Sequence, residues 1–208
     1  KGYSFTTQSD TEVILAAYQC YGSNCPRYFD GMFAFAIWDE QEQELFAARD
    51  NFGEKPFFYY KDDDQFLFAS EMKALCAAGI EKQVDESMLY NYLTLGYIQH
   101  PGTPVRCFYK NIAQLPARHY LVYDLPSHLL SLHQYWDIDA RHTDHGITDE
   151  KAVERFRELF TQSVSNRLRS DATVGTSLSG GLDSSSGLAT GCELNKSPVH
   201  TISGIFPR

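Results

Sequence analysis

Ser179-Gly180-Gly181-Leu182-Asp183-Ser184-Ser185 stands between a short strand, Val174 to Leu178, and a helical run, Asp183 to Leu194; Val199 to Phe206 then reads as a second strand. Strand, helix and strand at this spacing make one βαβ unit of a parallel sheet. Two adjacent glycines let a backbone approach a ligand closely and adopt positive φ. A helix starting directly after them offers unpaired N–H groups and the positive end of its dipole, and both attract anions. The hydroxyls of Ser179 and Ser184 can donate to phosphate oxygens. The loop also lies at the carboxyl end of a strand, where open α/β sheets bind ligands. No Gly-Lys-Ser/Thr follows, so it is not a Walker A loop, and the Gly-x-Gly-x-x-Gly dinucleotide pattern is absent. A plain glycine turn with a serine cap would account for the glycines alone, but not for the whole string in its strand–loop–helix setting.

Upstream, the pattern changes. Lys151 to Arg169 is a helix, with Val153, Phe156, Leu159, Phe160, Val164 and Leu168 recurring every three to four residues. Asp137 to Asp149 is polar and reads as a linker; its His142-x-x-His145 pair has no further ligand close by and reads as a solvated loop. Near the start, Ser9-Asp10-Thr11-Glu12 has capping-box spacing ahead of Val13, Ile14, Ala17, Tyr18 and Tyr21, with Gly22 as the stop, which predicts a helix over 10–21. Met32 to Trp38 is apolar on both of its alternating faces, so it reads as a strand covered on both sides. Strands follow at 45–49, 56–60, 66–70, 120–123 and 132–136, with short helices near 71–78 and 85–94 ending at Gly79 and Gly96. Residues 1–140 therefore read as an α+β unit, 141–149 as a linker and 150–208 as the opening of an α/β domain.

The 208 residues carry 18 Lys+Arg against 27 Asp+Glu, a net charge of −9. Nucleic-acid binding draws much of its affinity from cationic side chains on phosphates, so this balance argues against it. The longest apolar run has seven residues, Met32 to Trp38, far short of the roughly 18 that a membrane span needs. The five cysteines, at 20, 25, 76, 107 and 192, show no Cys-x-x-Cys spacing and read as small buried hydrophobes of a reducing cytoplasm. The chain opens on Lys1 rather than Met, and its last pattern has no room to finish, which reads as part of something longer.

The loop resembles the PP-loop of ATP pyrophosphatases, which split ATP to AMP and pyrophosphate. That resemblance gives Ser179, Gly180, Gly181, Asp183 and Ser184 the pyrophosphate end of ATP. It puts Leu178 beside the adenine and Gly204 on the adenine side, where the family usually has a β-branched residue. Further motifs stand in order: Gln8-Ser9-Asp10-Thr11-Glu12-Val13-Ile14-Leu15, Gly31 to Asp39, Arg49-Asp50-Asn51-Phe52-Gly53-Glu54-Lys55-Pro56, Phe68-Ala69-Ser70-Glu71-Met72-Lys73-Ala74-Leu75, and Arg167-Leu168-Arg169-Ser170-Asp171. Together they resemble the glutamine-hydrolysing asparagine synthetases over essentially the whole chain.

The resemblance implies an Ntn-hydrolase-like αββα glutaminase sandwich, incomplete here, followed by the start of a PP-loop synthetase domain. It implies glutamine, aspartate and ATP with Mg²⁺ as small-molecule substrates and cofactors, no nucleic-acid or membrane partner, and a homodimer as an open option. Glutamine would yield ammonia, which would pass through a tunnel and displace AMP from β-aspartyl-AMP. Asp10 is by itself a favourable acid at a helix N-terminus; the resemblance adds a contact to the α-amino group of glutamine. Arg49, Asp50, Gly53 and Lys55 read as a structural turn, with Lys55 and Glu71 as salt-bridged scaffold. Asn51 stands where the family usually has Arg. Leu115-Pro116-Ala117-Arg118-His119-Tyr120 replaces a Pro-Gly turn, leaving Arg118 to manage the bend. Ser170-Asp171-Ala172-Thr173-Val174-Gly175 likewise replaces Ser-Asp-Val-Pro-Val-Gly.

An Ntn nucleophile uses its own free α-amine as base and must be terminal. Lys1 has neither thiol nor hydroxyl, so no catalytic residue is assigned within the 208 residues, and the isolated chain is expected to turn over neither half-reaction. The alternatives are a related amidotransferase or β-lactam synthetase acting on another carboxylate, or a non-catalytic nucleotide- or glutamine-binding module; a glutaminase alone fits the phosphate loop poorly.

Overall fold

Ser9 starts the first helix as its sequence predicts. In the computed structural model, which describes residues 2–170, 172–195 and 199–205, its hydroxyl accepts the Thr11 amide, helix α1 runs Asp10–Tyr21, and Gly22 ends it at φ 55°. The expected capping box does not form. Glu12 turns instead to the preceding loop, where it accepts the amides and hydroxyls of Thr6 and Thr7. The Ser9 amide is taken by the Thr7 hydroxyl at 3.2 Å. The Thr7 hydroxyl, followed by the Thr6 amide, holds the Glu12 carboxyl down at about 2.

The chain divides into two units, Lys1–Ile138 and Asp139–Arg208. In the first, after a 3₁₀ segment (Gly22–Tyr28), come β1 (Ala34–Asp39), β2 (Glu44–Arg49), β3 (Phe58–Lys61), β4 (Phe66–Ala69), α2 (Met72–Ala77), α3 (Glu86–Leu95), β5 (Ala113–Gln114), β6 (His119–Asp124) and β7 (Leu129–Gln134). They form two antiparallel sheets, ordered β1-β2-β6-β7 and β4-β3-β5. Side-chain alternation sorts the core into three layers. Ala34 and Ala36 of β1, Ala47 of β2 and Leu121 of β6 meet Tyr59 of β3, Phe66 of β4 and Ala113 of β5 between the sheets. The other faces of β1 and β2, through Phe35, Ile37, Phe46 and Ala48, pack under Ile14, Ala17 and Tyr18 of α1. Phe58, Tyr60, Leu67 and Ala69 face outward from the second sheet onto Met72, Leu75 and Cys76 of α2. The layer order is thus helix, sheet, sheet, helix, the αββα sandwich that the resemblance implies. It explains why β1 is apolar on both faces, as its sequence predicts.

Several expectations shift. The 3₁₀ segment and the two-residue β5 have no periodic signal. The last strand of this unit is Leu129–Gln134, not 132–136, because Leu129 and Leu130 pair with Asp124 and Tyr123. Only Cys25 and Cys107 are buried; Cys76 is half-buried, and Cys20 and Cys192 are exposed, so the expectation of five buried thiols fails for these three. Burial pushes the Cys25 thiol up to about 12.

Arg118 does manage the bend. It adopts φ 61°, donates its amide to the Asp50 carbonyl and accepts the Tyr135 amide, both at 2.9 Å. Its side chain reaches Asp137 in an exposed ion pair, which adds little stability. Arg118→Gly removes the left-handed penalty at the cost of a more flexible unfolded chain. The expected net change in urea unfolding is therefore within about 1 kcal/mol of zero. A larger loss would show that the side chain does more than span the turn.

In the second unit, α4 (Asp149–Arg167) begins at Thr148, whose hydroxyl accepts the Lys151 amide. Its apolar stripe, including Val153, Phe156 and Leu159, is exposed. Strand β8 (Gly175–Ser177) and strand β9 (His200–Ile202) pair in parallel, with α5 (Leu182–Asn195) between them in sequence. This is the βαβ unit expected from the spacing. Phe206, expected in the last strand, and Asp171 lie outside the described residues. Among the described residues no helix is long and apolar enough to cross a membrane.

Candidate functional site

In the first unit, the Arg49–Lys55 turn is held from inside. Arg49 and Asp50 are only 3% and 1% exposed. One Asp50 carboxylate oxygen accepts the amides of Phe52 (3.0 Å) and Glu54 (2.9 Å); the other accepts those of Lys55 (2.9 Å) and Phe33 (3.3 Å). The Arg49 guanidinium donates to the carbonyls of Lys55 (2.6 Å), Gly53 (2.6 Å) and Leu115 (2.7 Å). Burial pushes the guanidinium below its usual range, against the pull of Asp50. Gly53 has φ 69°, and a Cβ there would sit 3.1 Å from both Ala117 and Arg49, so position 53 needs glycine. The Tyr135 phenol donates to the Arg49 carbonyl at 2.8 Å. These bonds make the turn the scaffold element its sequence suggests. Lys55 takes part through its backbone, and the ion pair of Glu71 is to Lys73, on the surface.

Asp10 is the first residue of α1 and is exposed. Its neighbours Ser9 and Glu12 are spent on holding the helix start and the Thr6–Thr7 loop, which leaves the Asp10 carboxylate as the outward-facing acid of that turn.

The second unit gathers the residues expected to hold phosphate at one end of β8. The Leu178 amide donates to the Ile202 carbonyl at 3.0 Å, carrying the ladder one residue past the strand. Gly180 adopts φ 82°, which suits glycine. The Gly181 carbonyl accepts the Ser185 amide at 3.1 Å, making Gly181 the cap of α5 and leaving the amides of Leu182, Asp183 and Ser184 without intrahelical partners. The Gly181 amide reaches the Ser179 hydroxyl only at 3.4 Å. Ser179 and Ser184 share a hydroxyl–hydroxyl bond of 3.1 Å, and Ser184 also donates to the Gly181 carbonyl at 3.2 Å. The loop is thus a small crown of hydroxyls above the helix N-terminus, open to solvent and suited to anionic oxygens. Asp183 contributes a carboxylate in the first helical turn. Gly204 follows Ser203, whose hydroxyl donates to the Leu178 carbonyl at 2.7 Å. That bond has no sequence signal, because a serine after a short strand is ordinary. An open groove of about 790 Å³ runs along α4 to Leu194 and includes no residue of the loop.

Residues 1–136 match the family model described as "Glutamine amidotransferase domain". The chain belongs to the glutamine amidotransferase domain family. Residues 155–208 of this amidotransferase chain match a second model, described as "Asparagine synthase". Among curated relatives, "Asparagine synthetase [glutamine-hydrolyzing] 3" of Bacillus subtilis (strain 168) is 40% identical over 209 residues, covering 98% of this chain and 33% of the relative. A putative asparagine synthetase [glutamine-hydrolyzing] 2 of Methanocaldococcus jannaschii is 36% identical, covering 95% of this chain and 38% of its own length. The amidotransferase chain therefore spans about a third of the length of these relatives. Among solved structures, glutamine phosphoribosylpyrophosphate amidotransferase from B. subtilis aligns with a TM-score of 0.46 at 15% identity, covering 98% of this chain and 40% of that one.

Proposed function

We propose that the chain belongs to an enzyme that makes asparagine from aspartate, ATP and glutamine-derived ammonia, through β-aspartyl-AMP. The observation that carries this reading is the Ser179–Ser185 crown at the carboxyl end of β8, following a glutamine amidotransferase sandwich in one chain. An amidotransferase domain releases ammonia, and a pyrophosphate-binding loop supports adenylation of its acceptor. The relatives named asparagine synthetase support aspartate as that acceptor.

In this reading the amides of Gly181 and the first turn of α5, with the hydroxyls of Ser179 and Ser184, hold the β- and γ-phosphates. Gly180 supplies the positive-φ bend that aims them. Leu178 and Gly204 flank the adenine. Mg²⁺ is usually held by one or two carboxylates together with substrate phosphates, and Asp183 is the carboxylate in the loop. In the amidotransferase unit, Asp10 meets the α-ammonium of glutamine, a charge-assisted contact. The chemistry takes place in the cytoplasm, where five free thiols stay reduced.

The intact protein should convert aspartate and ATP–Mg²⁺ to asparagine, AMP and pyrophosphate in equal amounts, with either glutamine or ammonium salt as nitrogen source. Asp10→Ala should raise the KM for glutamine at least about tenfold, the equivalent of roughly 1.4 kcal/mol, and leave ammonium-driven synthesis unchanged. Pyrophosphate release that requires a different carboxylate and ignores aspartate would overturn the assignment.

A further inference from the structure

The register of β8 and β9 pairs Ser177 with Ile202, and the Leu178 amide makes the next rung to the Ile202 carbonyl. In a continuing parallel ladder the following rung would run from the Gly204 amide to the Leu178 carbonyl. Among the described residues that rung is absent, and the Leu178 carbonyl instead accepts the Ser203 hydroxyl at 2.7 Å. A side chain thus replaces the backbone donor at the last position before the phosphate loop. Both polar groups of the Leu178 backbone are thereby tied to the same segment, Ile202–Ser203, while the chain at Gly204 is released from the sheet.

We propose that Ser203 is a positioning residue for the nucleotide site. Its hydroxyl ends the β8–β9 ladder at Leu178, which sets the take-off of the Ser179–Ser184 loop and opens the crevice beside it for the nucleoside. This rests on the phosphate-loop reading above and deepens it. Ser203 is exposed, so its bond to Leu178 adds little to global stability in water. Its loss is read at the loop: without the hydroxyl, the ladder either closes toward Gly204 or leaves the Leu178 carbonyl to water, and in both cases the loop amides lose their aim.

The test measures ATP–Mg²⁺ and inorganic pyrophosphate binding to the intact protein by calorimetry, for the parent, Ser203→Ala and Ser203→Thr. Ser203→Ala is expected to weaken both ligands by roughly 3- to 10-fold, the range of one net hydrogen bond, at unchanged stoichiometry. Ser203→Thr keeps the hydroxyl and should restore affinity to within about twofold. Equal affinity of parent and Ser203→Ala would overturn the positioning role while leaving the phosphate loop intact. So would a Thr variant as weak as Ala, or a loss of stoichiometry at constant Kd, which marks general destabilisation. A parent that binds neither ligand would overturn the loop reading and the positioning role together.

Discussion

Asp50→Ala should unfold the first unit at a markedly lower urea concentration than the parent. The carboxylate accepts four backbone amides, those of Phe33, Phe52, Glu54 and Lys55, from a position that is nearly closed to water. A methyl group takes none of them, and each buried donor left without an acceptor costs about 1–3 kcal/mol. Water reaches part of this turn, so the expected loss is about 3–5 kcal/mol rather than the full sum. Asp50→Asn keeps one accepting oxygen and turns an NH₂ toward two of the donors, so it should fall between the two. Both tryptophans, Trp38 and Trp136, lie in the first unit, so tryptophan fluorescence follows this unit selectively. Coincident midpoints for parent and Asp50→Ala would show that the four bonds contribute nothing net.

The second large effect is on the ligand. Gly181→Val should reduce ATP–Mg²⁺ and pyrophosphate affinity by at least about 100-fold, which corresponds to roughly 2.7 kcal/mol. A Cβ at Gly181 meets only the Ser179 hydroxyl, at an ordinary 3.5 Å, so the protein itself has room for the first side-chain carbon. In the proposed site a phosphate leaves no room for the rest, because it lies against the same backbone amides that the valine methyls would cover. The urea midpoint of the first unit serves as the control and should not move. Equal nucleotide affinity in parent and variant would remove the phosphate role from this loop. Gly180 is the poorer test, since φ 82° makes any substitution there strained irrespective of ligand.

Much of this was legible in the sequence because the decisive signals are local. Ser9 and Gly22 bracket α1 and Gly96 ends α3, through a serine cap and positive-φ glycines, whereas α4 starts at Asp149, two residues before the expected Lys151, because the Thr148 hydroxyl caps it. The Ser-Gly-Gly string sits between β8 and α5 as expected. The illegible parts depend on distant partners. Glu12 has capping-box spacing but finds better donors in Thr6 and Thr7. Strand β5 exists because Phe58 and Tyr59 offer it an edge, not because Ala113-Gln114 prefers to be extended. The shifted bounds of β7 reflect pairing with β6 and the departure of Tyr135 toward Arg49. Ser203 is another case: its hydroxyl bonds a carbonyl 25 positions earlier in the chain.

The turn around Asp50 has one more consequence. Its carboxylate accepts only main-chain donors among the described residues, while Arg49 donates to the carbonyls of Gly53, Lys55 and Leu115 and to the side-chain oxygen of Gln114. Within the turn, Gly53 aside, such a clasp holds its neighbours by their main chain and not by their side chains. The side chain at 51 can therefore change without breaking any of the clasp's own bonds.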